Sequence, residues 1–398
     1  MSTHPYRNIR HRWAVAFTAV IAVSALAACG GGSAGNTSNT SSAPQAPIGE
    51  LPAKLAQFAA IPTFKEPGPA FDARAAANGK SLFLIPASSE VPFVQTIDDG
   101  IKSAGSKLGL TVTDWQNQGK TSQHAQGMLS AIAQHASSID LLAGLDPSTV
   151  GPQIAQARAA GIGTVASHLY GVGQTPFAGL AATVDAPYQT AGELLADHAI
   201  DKTQGKLNAL VVTIKEVNST EPMVAGIKQE VGKYCASTCK LSYVNSSIAD
   251  LATQVPSNVK GALQRDPKIN YVIALYDSAQ VPYVISGIQS AGVSNQPKIV
   301  TYNGTPSILK LVADGKVEMD IGENLTWISL AILDQHLRLL AGLPPVKDPM
   351  LPLRIWDAAN VGQAGSPPQA SVGYGDAYLA GYAKLWKLPP NVILGPTG

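Results

Sequence analysis

The sequence predicts an α/β protein built of two doubly wound parallel-sheet lobes. Strand-like and helix-like signals alternate through most of the chain, and regular alternation of this kind places a parallel sheet between two layers of helix. The alternation runs twice, over 79–167 and again over 207–302, which describes two bodies of similar order. The chain of 398 residues also exceeds what one hydrophobic core usually serves.

At the start of the chain, Arg7, Arg10 and Arg12 precede an apolar run over 13–28. That run is shorter than the roughly 20 residues a membrane-spanning helix needs. A basic flank, a short apolar core and small residues in that order make a signal peptide, assigned to 1–28. The run closes on Leu26-Ala27-Ala28-Cys29, which resembles the lipobox of bacterial lipoproteins. The resemblance implies cleavage before Cys29 and acylation of its thiol. Residues 30–47, mostly Gly, Ser, Thr, Asn, Ala and Pro, read as a flexible tether. A short helix over 49–60 and a proline-rich stretch over 62–72 complete an extension, 29–77, with no task assigned.

Charge and cysteine content narrow the class. The whole chain has 28 basic and 27 acidic side chains, and removing residues 1–28 with their three arginines leaves 25 against 27. No basic stripe remains to draw nucleic acid by counterion release. Apart from Cys29, the cysteines are Cys235 and Cys239, an even pair in an exported chain, for which a disulfide is predicted. A two-cysteine metal site or a redox pair are the alternatives, and neither has a nearby histidine or a Cys-x-x-Cys spacing.

In the first lobe, an apolar strand over 81–86 leads into a helix over 93–108, where Phe93, Ile97, Ile101, Ala104 and Leu108 recur at helical spacing. A strand at 110–114, a helix at 122–135, a strand at 139–143, a helix at 150–160 ended by Gly161 and a strand at 163–167 follow. The second lobe repeats the scheme with strands at 207–214, 241–244, 271–276 and 298–302, and helices at 221–234, 248–265 and 281–291. Beyond it come an amphipathic helix over 325–340, a returning strand over 351–358, a loop over 362–371 and a last helix over 374–388. That last helix packs on a lobe or presents its aromatic face to a partner. In lobes of this kind ligands gather beyond the carboxyl ends of the strands.

The loops at those ends carry a specific resemblance. Ser88-Ser89-Glu90-Val91-Pro92-Phe93, Ser167-His168, Tyr276-Asp277-Ser278-Ala279, Tyr302-Asn303-Gly304-Thr305-Pro306 and the Asp314-Gly315-Lys316 stretch together resemble type I periplasmic binding proteins, in particular the ribose-binding-protein-like sugar binders. The resemblance implies two lobes that close on a small ligand, joined by three crossing segments near 183–186, 322–324 and 344–347. The first lobe is then 78–185 plus 324–345, the second 186–323 plus 346–360, with a C-terminal loop and helix over 361–398.

Family positions carry over residue by residue. Phe93 falls where an aromatic ring stacks on a sugar, Asn303 where an Asp binds hydroxyls, and Glu323 where a Gln does so at the hinge. Ser167 and His168 replace an Asp-Arg pair, Tyr276 replaces an Asn before Asp277, and Met223 stands where an Arg is expected. Loss of both arginine forks weakens the case for a plain pentose or hexose and opens the site to an aromatic, partly apolar, less hydroxylated ligand. Each position has a second reading: Phe93 as core, His168 as a satisfied buried histidine, Asp277 as a helix cap, and Trp327 and Trp115 as core aromatics.

What the resemblance implies is a lipid-anchored solute-binding subunit of an ABC importer, acting as a monomer at the outer face of the cytoplasmic membrane or in the periplasm. It delivers a small molecule to a permease with its separate ATPase. The alternative is a lipoprotein that reports ligand occupancy to a membrane receptor. No nucleic acid, cofactor or metal is expected, and no catalytic motif is present. Gly119-Lys120-Thr121 imitates the end of a P-loop, but Asp114 occupies the place of its first glycine.

Overall fold

A computed structural model of the protein describes residues 45–143, 146–389, 392 and 394. The predicted signal peptide, Cys29 and most of the predicted tether lie outside the described residues. After a 3-10 turn at Ile48–Glu50 come helices α1 (Leu51–Ala59) and α2 (Ala73–Ala77). Asp72 caps α2 by accepting a hydrogen bond from Ala75 N–H.

The first lobe runs β1 (Ser81–Pro86), α3 (Pro92–Leu108), β2 (Thr111–Asp114), α4 (Thr121–Ala133), β3 (Ser138–Leu142), α5 (Gly151–Ala159), β4 (Gly163–Gly171) and β5 (Ala182–Ala186). Its sheet has the order β2-β1-β3-β4-β5 with every pairing parallel. β3 is buried at every position, as a strand covered on both faces requires, whereas β2 lies at the edge and is partly exposed.

The second lobe begins with α6 (Tyr188–Thr203) and continues β6 (Asn208–Thr213), α7 (Thr220–Cys235), β7 (Lys240–Asn245), α8 (Leu251–Arg265), β8 (Tyr271–Ala274), α9 (Asp277–Ala291), β9 (Lys298–Asn303), α10 (Pro306–Ala313) and β10 (Met319–Glu323). The chain then returns to the first lobe as α11 (Leu325–Leu340), comes back as β11 (Leu353–Asp357) and ends in α12 (Ala377–Leu385). The second sheet has the order β11-β10-β9-β8-β6-β7, and β11 is its antiparallel member. Cys235 closes α7 and is joined by a disulfide to Cys239, with the Cα atoms 5.4 Å apart.

Sequence patterning assigns no element to 187–206 and none to 306–313, yet both are helices. α6 is buried around nearly its whole circumference, with Asp197 and His198 among the buried residues, so no single apolar stripe marks it. Two glycines let α6 and α7 cross closely. A Cβ at Gly192 would stand 2.0 Å from Met223 O, and one at Gly226 would stand 2.2 Å from Gln189 O.

Both ends of the described chain run along α11 and β11, past the hinge segment that follows β10. On the second lobe, Ala46 N–H donates to Lys233 O at 2.9 Å, and Lys54 reaches Asp197 at 2.7 Å and Glu230 at 3.1 Å. Ala59 O accepts from Arg354 Nε on β11. Farther along, the same segment meets α11 of the first lobe: Phe64 packs on Trp327 with ring centres 5.4 Å apart, and Pro69 O accepts from Arg338. The C-terminal segment repeats the passage. Tyr374 OH accepts from Trp356 of β11, Tyr378 stacks on Trp327 at 4.9 Å, and Trp386 donates to Asp334 of α11. Two terminal straps therefore span the lobes in addition to the connections β5–α6, β10–α11 and α11–β11.

Candidate functional site

The carboxyl ends of the parallel strands from both lobes face one another. From the first lobe, β1 delivers the loop 87–91 and the first turn of α3, which carries Phe93, and β4 delivers His168. From the second, β8 leads through Tyr276 to Asp277 at the start of α9, β9 ends at Asn303 and β10 at Glu323. His168 has φ 53° and Asn303 has φ 135°, both in the left-handed region that side chains other than glycine rarely occupy. Such backbone strain persists only where surrounding structure holds it, and it clusters at binding sites.

The two lobes are closed on each other here. α3 has no side-chain cap of its own; Phe93 N–H in its first turn donates to Ser278 Oγ across the cleft at 3.3 Å. A Cβ added at Gly119 of the first lobe would stand 2.7 Å from Ile248 Cγ2 of the second. Between these contacts lies a chamber of about 60 Å³. Its polar lining is His168, Ser219, Tyr276, Ser278 and Asn303, and its apolar lining includes Val91, Phe93, Val217, Ile248, Leu251 and Ala279.

Behind the lining sits a buried polar network. His168 Nε2 is 2.7 Å from Glu323 Oε2, and Asn303 Nδ2 donates to the same oxygen at 3.3 Å. The His168 ring packs between Phe93 at 5.0 Å and the edge-on Tyr188 at 5.3 Å. Burial, and after it the Glu323 charge, pushes the hydroxyls of Tyr188 and Tyr302 well above the usual tyrosine range. Tyr276 OH is 2.8 Å from both Ser219 Oγ and Thr220 Oγ1, and burial raises it too.

Asp277 lies beneath this layer. It accepts from Thr305 N–H at 2.6 Å, from Thr305 Oγ1 at 2.8 Å and from Ser278 N–H, which ties the β8–α9 turn to the loop after β9. Burial outweighs these bonds and lifts its carboxyl to about 6. Neighbouring Asp320 is held well above the carboxylate range by burial and then by the charge of Asp277.

The structure therefore sorts the residues proposed from sequence. Phe93, His168, Tyr276 and Asn303 line the chamber, and Glu323 stands directly behind two of them. Asp277 is fully buried and organises the loops. Two of the named residues lie away from the chamber. Ser167 points into the first lobe, where it donates to Asp140, itself bonded by His336. Trp327 is 1 % exposed and stacked on Tyr378 under Phe64, on the strap side. Trp115 is likewise turned to the first lobe, donating to Gln123 O. Val217, Ser219, Ile248 and Leu251 were not singled out, and Ser278 entered only as part of a loop motif; they are ordinary apolar and hydroxyl residues whose role appears only when the loops of two lobes meet. Among the described residues no group of three or more His, Cys, Asp or Glu is placed to hold a metal ion. None of the described helices is long and apolar enough to cross a membrane.

Comparison with known proteins gives a consistent picture. The sequence model of the periplasmic binding protein domain matches residues 82–343. A carbohydrate transporter from Acidothermus cellulolyticus 11B, solved in complex with myo-inositol, is 20 % identical, with a TM-score of 0.59 over 72 % of this chain and 97 % of its own. The binding component of an arabinose ABC transporter from Shewanella sp. ANA-3, bound to L-arabinofuranose, is 16 % identical with a TM-score of 0.63 over 71 % and 93 %. An ABC transporter solute-binding protein from Agrobacterium vitis with bound allitol is 17 % identical with a TM-score of 0.62 over 72 % and 98 %. At these identities the likeness establishes the fold. No curated protein sequence matches the chain.

Proposed function

This chain belongs to the periplasmic binding protein domain family, and from that premise we propose that it is the lipid-anchored solute-binding subunit of an ABC importer. It captures a small sugar-like or other cyclic molecule between its lobes and presents it to a membrane permease driven by a separate ATPase. The observation that carries the reading is the chamber at the carboxyl ends of both sheets, lined from one lobe by Phe93 and His168 and from the other by Tyr276 and Asn303. Solutes in similar proteins, myo-inositol, arabinose and allitol, set the size class of the candidates.

Binding to the folded state alone stabilises it by mass action, by about 2.7 kcal/mol at a hundredfold excess over the dissociation constant. A thermal-shift panel of sugars, cyclic polyols, nucleosides and alicyclic or aromatic acids should thus contain solutes that raise the midpoint by at least a few degrees. Asn303→Ala should abolish the shift of the best solute. An undiminished shift in that variant contradicts the site, and a panel without any shift contradicts solute capture.

Attachment rests on Cys29. Cys29→Ala should move the protein from the detergent phase to the aqueous phase, and a wild type that stays aqueous contradicts the anchor. The exported chain should weigh two hydrogens less than its reduced form, through Cys235 and Cys239. Ligand sensing is the second reading. It is favoured by the packing of residues 45–72 on both lobes, which joins the stretch following the tether to each of them.

A further inference from the structure

We infer that the interlobe site takes an amphipathic solute, with its compact apolar end in the chamber and its hydroxylated end in an open groove beside it. The inference rests on the solute-capture reading above and specifies the chemical class captured.

The first ground is that each polar side chain lining the chamber already bonds protein, while the unpartnered polar atoms near it, Glu323 Oε1 and the hydroxyls of Tyr188 and Tyr302, lie buried behind that lining. His168 and Asn303 both bond Glu323, Tyr276 OH bonds Ser219 and Thr220, and Ser278 Oγ accepts from Phe93 N–H. The remaining wall is aliphatic and aromatic, and no lysine or arginine belongs to it. A free hexose enclosed there would have to find partners for a hydroxyl on nearly every carbon, and each hydroxyl left without one carries the full cost of its lost water. A small hydrocarbon end has no such demand and fits the wall made by Val91, Phe93, Val217 and Ile248.

The second ground is the adjoining groove, of about 810 Å³ and open to solvent. Val217 lines both spaces, so they are neighbours along one wall. Gln174 and Thr175 enter the groove from the first lobe, and Lys215 and Asn218 from the second. Tyr243, 41 % exposed, lines it too, with Lys228 Nζ 5.6 Å from its ring centre. Side chains of both lobes can there bond hydroxyls that also keep contact with water, and the tyrosine ring offers a face for a sugar. Closing the lobes then buries only the part of the solute that loses nothing by leaving water.

The test is calorimetric titration of the full mature protein with glucose and with its methyl, isopropyl and phenyl β-glucosides. Affinity should rise along the series, with isopropyl or phenyl glucoside binding at least tenfold more tightly than glucose. Tyr243→Ala, a surface change, should weaken the best glucoside at least threefold. Ile248→Ser should reduce the preference for isopropyl glucoside over glucose to less than threefold. Glucose binding as tightly as its best glucoside, or both variants binding like wild type, overturns the inference while leaving solute capture intact. Failure of all four probes also overturns it. Solute capture then stands or falls separately on whether protein purified from its own cells carries a small molecule detectable by mass spectrometry.

Discussion

Across the cleft, the lobes touch through the Phe93 to Ser278 hydrogen bond and the close approach of Gly119 to Ile248. At the hinge the same lobes are bound by three chain connections, two terminal straps and an aromatic cluster in which Trp327 lies against Phe64 and Tyr378. The difference is one of energy as much as of place. A face that must part to admit solute can hold only contacts that are cheap to break, and apart from the Phe93 to Ser278 bond its polar side chains are satisfied within one lobe or at the hinge. A face that serves as a pivot can be cemented with large buried aromatics. Stability should therefore concentrate on the strapped side and ligand dependence on the cleft side.

The largest effect that would sharpen or break this contrast comes from Trp327→Ala. Removing a buried indole from a packed cluster costs about 3–5 kcal/mol, which denaturant unfolding measures. Affinity for the best solute should stay within threefold. A loss of stability under about 1 kcal/mol, or a collapse of affinity in the folded variant, would show that the two sides are not separate in the way described.

An intermediate effect is expected from pH. Asp277, lifted to about 6, and Asp320, lifted further, bind their protons more tightly in the fold than in the unfolded chain. Their contribution to stability is full below the ordinary aspartate value near 4 and is lost as pH rises through about 6 for Asp277. Asp320→Asn replaces the proton at that position with a permanent N–H. It should flatten the fall in stability between pH 5 and pH 8, by about 1 kcal/mol. Unfolding midpoints at the two pH values decide it, and an unchanged fall contradicts the upward shift of the Asp320 carboxyl.

The smallest effect is expected at the latch. Ser278→Ala removes the acceptor for Phe93 N–H and should cost about 0.5–1 kcal/mol. It should also enlarge the radius of gyration of the unliganded protein in solution scattering, because the closed form loses a contact that the open form never had. An unchanged radius with unchanged stability would mean that this hydrogen bond does not hold the cleft shut.

Much of this architecture could be read from the chain. The spacing of Phe93, Ile97, Ile101, Ala104 and Leu108 marks α3, whose buried face includes all five. The apolar runs at 81–86 and 139–143 mark central strands. α6 was not legible because burial on all sides erases the stripe that periodicity detects. The straps were not legible because Phe64, Trp327, Tyr378 and Trp386 are far apart in sequence and only tertiary packing joins them. The site was half legible for a similar reason. Loop motifs pointed to Phe93, His168, Tyr276 and Asn303. Ser167 instead bonds Asp140 inside the first lobe, and the Trp327 side chain packs toward the straps. Ile248 and Val217 carry no signal until the second lobe meets the first.

The most direct test of the central claim is hydrogen exchange of the full mature protein with and without the tightest-binding solute of the panel. The account predicts added protection in 88–97, 276–281 and 302–306, and exchange in 45–72 and 374–388 that is already slow and unchanged by solute. Protection appearing in the straps while the three cleft segments exchange as before would contradict it.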